Sequence, residues 1–168
     1  MDWVKGGTLS AILKNRLNNH CPLSEEEVIK IIRGIILAVK YLHERDIMHR
    51  DIKLENVMLD NENDLSSIKL IDFGLSQLFQ QASESQIKHS AGTPIYLPPE
   101  SLNQQLHSKP VDIWSCGIML FILCHKGRHP YYVKNDSILE ISNKIKAQKF
   151  AFSSSVSGLA KDLILKML

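Results

Sequence analysis

The chain has 168 residues, 44% hydrophobic and 23% charged, and 20 Lys+Arg against 18 Asp+Glu leave a formal charge of +2. That is one domain's worth of sequence, and the composition excludes collagen-like, low-complexity and wholly disordered classes. No basic stripe marks a nucleic-acid binder, and the strongest apolar run, Ile113–Cys124, is too short to span a membrane. Cys21, Cys116 and Cys124 cannot all pair, and two of them lie in that run, so buried free thiols in a reducing cytosol are expected. Met1-Asp2-Trp3-Val4-Lys5 has no secretory character, and no capped helix or strand precedes it.

In chain order, Lys5-Gly6-Gly7 reads as a turn and Thr8–Leu17 as a short helix, capped by Thr8 or Ser10, with Leu9, Ile12 and Leu13 on one side. Ser24 and Glu27 form a capping box. Val28, Ile31, Ile32, Ile35, Val39 and Leu42 then follow at spacings of three and four, predicting a helix from Glu25 to about His43. Ile47-Met48, Val57–Leu59 and Ile68–Ile71 read as brief strands, the last two forming a hairpin around the polar turn Asp60–Ser66. Residues 75–92 are polar and read as a long surface loop. Helices are predicted at Pro98-Pro99, over Asp112–Cys124, over Ser137–Lys149 and over Leu159–Leu168, the last with Leu159, Leu163 and Met167 on one side. The expected class is mainly α with one small β-hairpin.

The hairpin gathers the chemistry. His49-Arg50-Asp51-Ile52-Lys53-Leu54-Glu55-Asn56 precedes its first strand, and Asp72-Phe73-Gly74 follows its second. A two-strand hairpin returns the chain to its starting end, which sets Asn56 beside Asp72. Two such oxygen donors suit Mg²⁺ that keeps waters and phosphate oxygens as its other ligands. Asp51 and Lys53, two apart on one loop, can reach a common centre. There Asp51 can take a hydroxyl proton and Lys53 can neutralise charge on a transferred phosphoryl group.

These residues resemble the protein-kinase family. His49-Arg50-Asp51 with Asn56 matches its catalytic loop, and Asp72-Phe73-Gly74 matches its metal-binding triplet. Gly92-Thr93-Pro94-Ile95-Tyr96-Leu97-Pro98-Pro99-Glu100 is similar to the end of an activation segment. Asp112-Ile113-Trp114-Ser115-Cys116-Gly117 is similar to the buried helix that anchors the catalytic loop, and His129-Pro130-Tyr131 to the turn after it. Met1–Leu9 is similar to the hinge that binds adenine. Lys53 and the Gly92-Thr93 pair point to the serine/threonine branch rather than the tyrosine branch, with a flavour of the calcium/calmodulin-dependent kinases.

The resemblance implies a protein-kinase-like C-terminal lobe, with ATP and Mg²⁺ as cofactors and proteins bearing Ser or Thr as substrates. Asp51 is then the catalytic base, Lys53 contacts the γ-phosphate, and Asn56 and Asp72 hold the metal. The backbone of Asp2 and Val4 would bond the adenine edge above a floor of Leu9 and Met58. His49 and Phe73 would be packing members, and Glu55 would meet a basic substrate residue or solvent. Arg50 would pair with a phosphate on the activation segment, supplied by an upstream kinase or by autophosphorylation, which could order the loop. The acceptor candidates are Ser83, Ser85, Ser90 and Thr93, with Ser90 preferred because His89 departs from the family pattern.

His125 and His129, at i, i+4 beside Gly127 and Pro130, read as a solvated loop rather than a zinc site. Lys144, Lys146 and Lys149 read as a solvated helix face. The 168 residues contain no Gly-rich phosphate loop and no Arg after Arg128 to partner Glu100. The expected entity is therefore one kinase domain over 1–168, its C-lobe alone, cut at both ends and inactive by itself. The alternative is a non-catalytic kinase-like lobe acting as a binding or decoy module.

Overall fold

A computed structural model describes residues 6–78, 93–102 and 108–168. The expected hinge contacts at Asp2 and Val4 and the expected phosphate acceptors Ser83, Ser85 and Ser90 lie outside those residues.

Helix α1 spans Leu9–Asn18, and Thr8 caps it by accepting from the Ala11 N–H at 3.2 Å. Helix α2 spans Glu25–His43, as its apolar period predicts, and its capping box is formed in both directions between Ser24 and Glu27. Arg16 donates to both Glu27 carboxylate oxygens at 2.7 Å, tying α1 to the start of α2. A 3-10 turn at Leu54–Asn56 leads into β2 (Val57–Leu59), which pairs antiparallel with β3 (Ile68–Leu70) in the register Val57↔Leu70. Gly34 lets α2 lie directly on β3, because a Cβ there would meet Ile68 Cγ1 at 2.7 Å.

Helix α3 is the short Pro99–Leu102 turn, and α4 (Pro110–Cys124) is the centre of the core. From Val111 to Leu123 every α4 side chain but Ile113 is buried. Such an all-round apolar helix belongs inside a domain. Helix α5 spans Ile138–Ala147 and α6 spans Gly158–Met167. Gly117 lets α6 end close against α4, since a Cβ there would meet Met167 Cβ at 2.8 Å.

Three expectations are corrected. Gln77-Leu78 is not loop but a strand, β4, pairing antiparallel with β1 (Ile47-Met48), so there are two small sheets rather than one hairpin. Polar composition concealed it, because a two-residue ladder needs only backbone groups.

The buried line of α6 is Ile164, with Met167 and Leu168 packed on the core, while Leu159 is 84% exposed. The Leu159–Leu163 row is equally periodic, and only the position of α4 decides between the two. Finally, His125 and His129 are not a solvated pair. His125 is buried, and both rings are hydrogen-bonded through both nitrogens.

Candidate active site

The loop from His49 to Asn56 is held from beneath by one carboxylate. Asp112, at the N-terminal turn of α4, is 1% exposed. Its Oδ2 accepts from the His49 N–H at 3.0 Å and its Oδ1 from the Arg50 N–H at 2.9 Å. His43, at the end of α2, donates from Nε2 to Asp112 Oδ2 at 2.8 Å. An acid inside an apolar helix is costly to bury unless it is bonded this way. Two backbone donors on one carboxylate hold Arg50 at φ 70°, a left-handed conformation that a non-glycine residue adopts only under such constraint.

His49 is fully buried and oriented by both nitrogens. Nε2 donates to Ile71 O at 3.1 Å, and Nδ1 accepts from the Asp51 N–H at 3.3 Å. Its ring meets Phe73 at 5.0 Å between centroids, although Phe73 is 48% exposed.

Asp51 is 8% exposed and carries a converging set of donors. Lys53 Nζ reaches Asp51 Oδ2 at 2.6 Å, and Asn56 Nδ2 reaches the same oxygen at 2.9 Å. The Thr93 hydroxyl donates to Asp51 Oδ1 at 2.9 Å and accepts from Lys53 Nζ at 2.9 Å. Burial pushes the Asp51 carboxyl up, but hydrogen bonds from Lys53, Thr93 and Asn56, with the charge of Lys53, hold it below the usual carboxylate range. Asp51 is thus a carboxylate at neutral pH. For Arg50, burial lowers the guanidinium pKa and the Asp112 charge partly restores it.

Asn56, 6% exposed, spends its amide N–H groups on Asp51 O and Oδ2, which leaves Oδ1 as its remaining ligating atom. The Ile71 N–H bonds Asn56 O at 3.0 Å, which sets Ile71 opposite Asn56 and Asp72 one residue further on. Asp72 is exposed, sits at φ 61° and accepts the Gly74 N–H at 3.2 Å.

Met58 is half-buried and bridges to Thr8, whereas Leu9 is fully buried in the core and presents no surface to a ligand. That corrects the expected adenine floor, because the apolar row of α1 needs Leu9 for packing. Glu55 is exposed. Glu100 is half-buried rather than sealed in the core.

Thr93 is bonded into the Asp51 cluster, not presented as a free acceptor. The same segment is pinned twice more. His129 Nε2 donates to Ile95 O at 2.8 Å, and Ser115 Oγ donates to Tyr96 O at 3.1 Å. His129 Nδ1 accepts from the Tyr131 and Tyr132 N–H groups at 3.1 and 3.0 Å, and burial drives its pKa down to about 4. The resemblance already pointed to the Asp112–Gly117 helix as the anchor of this loop, and the structure shows that its Asp112 carboxylate makes the bonds. Sequence reasoning missed His43 and His129 as parts of this scaffold.

A profile of the family described as protein kinase domain matches residues 1–168. The chain belongs to the protein kinase family. All of it aligns at 36% identity with serine/threonine-protein kinase 33 of Mus musculus, covering 35% of that protein. It aligns likewise at 36% identity with CBL-interacting protein kinase 3 of Oryza sativa subsp. japonica, covering 36% of it. With serine/threonine-protein kinase PLK4 of Drosophila ananassae the identity is 35%, over 92% of this chain and 19% of that protein. The chain thus spans about a third of the length of the first two relatives, and the kinase domain is the part they share.

Proposed function

We propose that this chain is the C-terminal lobe of a serine/threonine protein kinase, one unit over 1–168. The protein transfers the γ-phosphate of ATP to Ser or Thr hydroxyls of protein substrates. The observation that carries this reading is the cluster of Lys53, Asn56 and Thr93 around the buried carboxylate of Asp51. Kinship with serine/threonine kinases supports it.

In this reading Asp51 is the base. Its carboxylate is kept ionised by its donors, so it can orient a substrate hydroxyl and accept the proton. Lys53, shared between Asp51 and Thr93, holds a positive charge where phosphoryl charge develops. Thr93 ties the substrate-facing segment to the base, and Met58 is the apolar wall for the adenine ring. The backbone of Asp2 and Val4 bonds the adenine edge.

For the metal, no three His, Cys, Asp or Glu residues converge among the described residues. The Asn56 and Asp72 oxygens are hard donors too few to hold a cation alone. That donor set fits Mg²⁺ completed by phosphate oxygens and water. Held by Asn56 and Asp72, such an ion would offset the negative charge of the phosphates.

The test is Asp51→Asn in the complete protein. Transfer to a peptide is expected to fall by about 10²–10⁴-fold while nucleotide binding persists; undiminished turnover rules the assignment out. Arg50 is assigned to a phosphate on Ser90. Intact-mass analysis with and without phosphatase, and the activity of Ser90→Ala, test that; a mutant as active as its parent removes the role.

A further inference from the structure

His129 also lines a cavity of about 540 Å³ between the turn after α4 and the segment leading into α6. Lys126 and Arg128 stand on its wall with Ser153 and Ser155, and no Asp or Glu lines it. Among the described residues neither Lys126 nor Arg128 has an ion-pair partner, and both are exposed. The cations are presented by a fixed turn rather than a loose one. Lys126 and Gly127 are both left-handed, at φ 53° and 83°. The Gly127 N–H bonds Ile122 O at 2.9 Å, and the Arg128 N–H bonds His125 O at 3.2 Å. A lysine held in that conformation costs about 1 kcal/mol or more and persists because its surroundings over-determine it.

The floor is aromatic. His125 stacks on Phe121 with centroids 3.7 Å apart, and the half-buried Phe152 ring lies 5.9 Å from each. His125 Nδ1 donates to Phe121 O at 2.8 Å and Nε2 accepts from the Ser153 N–H at 3.1 Å, so the ring is neutral and rigid. Burial lowers its pKa, the Phe121 carbonyl partly offsets this, and the positive charges of Arg128 and Lys161 lower it further. Two cations with no carboxylate in the lining of this cavity (Glu25 lines the neighbouring one), beside the half-buried face of Phe152, suit an anion carried on a ring. An arginine fork meets phosphate oxygens bidentately. The cavity is several times larger than one phosphate group, which leaves room for the side chain that bears it.

We propose that this cavity binds a phosphotyrosine-bearing peptide segment, with the phosphate between Lys126 and Arg128 and the ring against Phe152. The site is separate from the Asp51 cluster and stands whether or not the kinase reading holds. Fluorescence anisotropy with a labelled phosphotyrosine peptide, its tyrosine counterpart and inorganic phosphate as competitor tests it on the full chain. The phosphopeptide is expected to bind at least about tenfold more tightly than the tyrosine peptide, and Arg128→Gln to remove about that factor. Lys126→Gln is expected to weaken binding in the same direction. Equal affinity for the two peptides, or unchanged binding in both variants, overturns the proposal. Displacement by inorganic phosphate as effectively as by the phosphopeptide also overturns it, leaving a simple anion site. The readout is binding by this chain, whereas the kinase reading is tested by the Asp51→Asn turnover of the complete protein, so failure of one leaves the other standing.

Discussion

Thr93 is the residue whose importance its type least announces. Its hydroxyl is the only bond described between Asp51 Oδ1 and the 93–97 segment, and it also receives the Lys53 ammonium. Hydrogen bonds to charged groups contribute about 1.5–3 kcal/mol each. Thr93→Val is therefore expected to lower the turnover of the complete protein roughly 10–100-fold, with the fold intact by circular dichroism. Turnover at the parent level would exclude Thr93 from the cluster's function. Asp112 acts at one remove, through the backbone of His49 and Arg50. Asp112→Ala strands two buried N–H groups and the His43 ring, and a loss of about 3–5 kcal/mol in urea unfolding is expected. Lys53, Asn56 and Asp51 were legible as a catalytic loop because their spacing lies within eight residues of chain. The resemblance brought Thr93 and the Asp112 helix to this loop, but which atoms they bond was not legible, because they reach Asp51 and its loop from far along the sequence.

At the scale of elements, the turn after α4 gives a pH signature. His129 is held neutral, its pKa depressed to about 4 from an ordinary value of 6.5. Between those values the unfolded chain binds more protons than the fold does, so stability rises with pH across that window. The contribution is fully present above about pH 6.5 and is lost as pH falls through about 4. Its full size is on the order of 3 kcal/mol. Urea unfolding of the parent and of His129→Phe between pH 4.5 and 7 measures it; parallel curves would exclude the clamp. Helix α6 supplies a second contrast. Ile164 is fully buried and Leu159 is 84% exposed. Ile164→Ala is expected to cost about 2–5 kcal/mol and Leu159→Ala within about 0.5, and the reverse order would mean that the helix is rotated. The existence and bounds of α2 were plain from its capping box and its buried stripe. The facing of α6 was not, because ten residues with apolar groups on adjoining rows are periodic on either line.

For the whole molecule, no helix among the described residues is long and apolar enough to cross a membrane. The core is continuous around α4, with α2 on β3 and α6 closing against Gly117. The 168 residues hold the Asp51 cluster but no Gly-rich loop or paired strand lysine to cradle a nucleotide's phosphates. This chain alone is therefore expected to transfer no phosphate above background when assayed with radiolabelled ATP and a serine peptide. Transfer at a typical kinase rate would show that the cluster suffices.

The amino-acid sequence by itself determined the helices with long apolar periods, the hairpin and the family, because caps, periods and short motifs are encoded by neighbours in the chain. Only the tertiary structure decided that Leu9 is core, that Gln77-Leu78 completes a sheet, and that His125 and His129 are buried rather than solvated. It also decided that this helix holds the loop bearing Asp51 through the Asp112 carboxylate and the His49 and Arg50 N–H groups. Those outcomes depend on which distant surfaces exclude water from one another, and that is set by packing around α4 rather than by any local pattern.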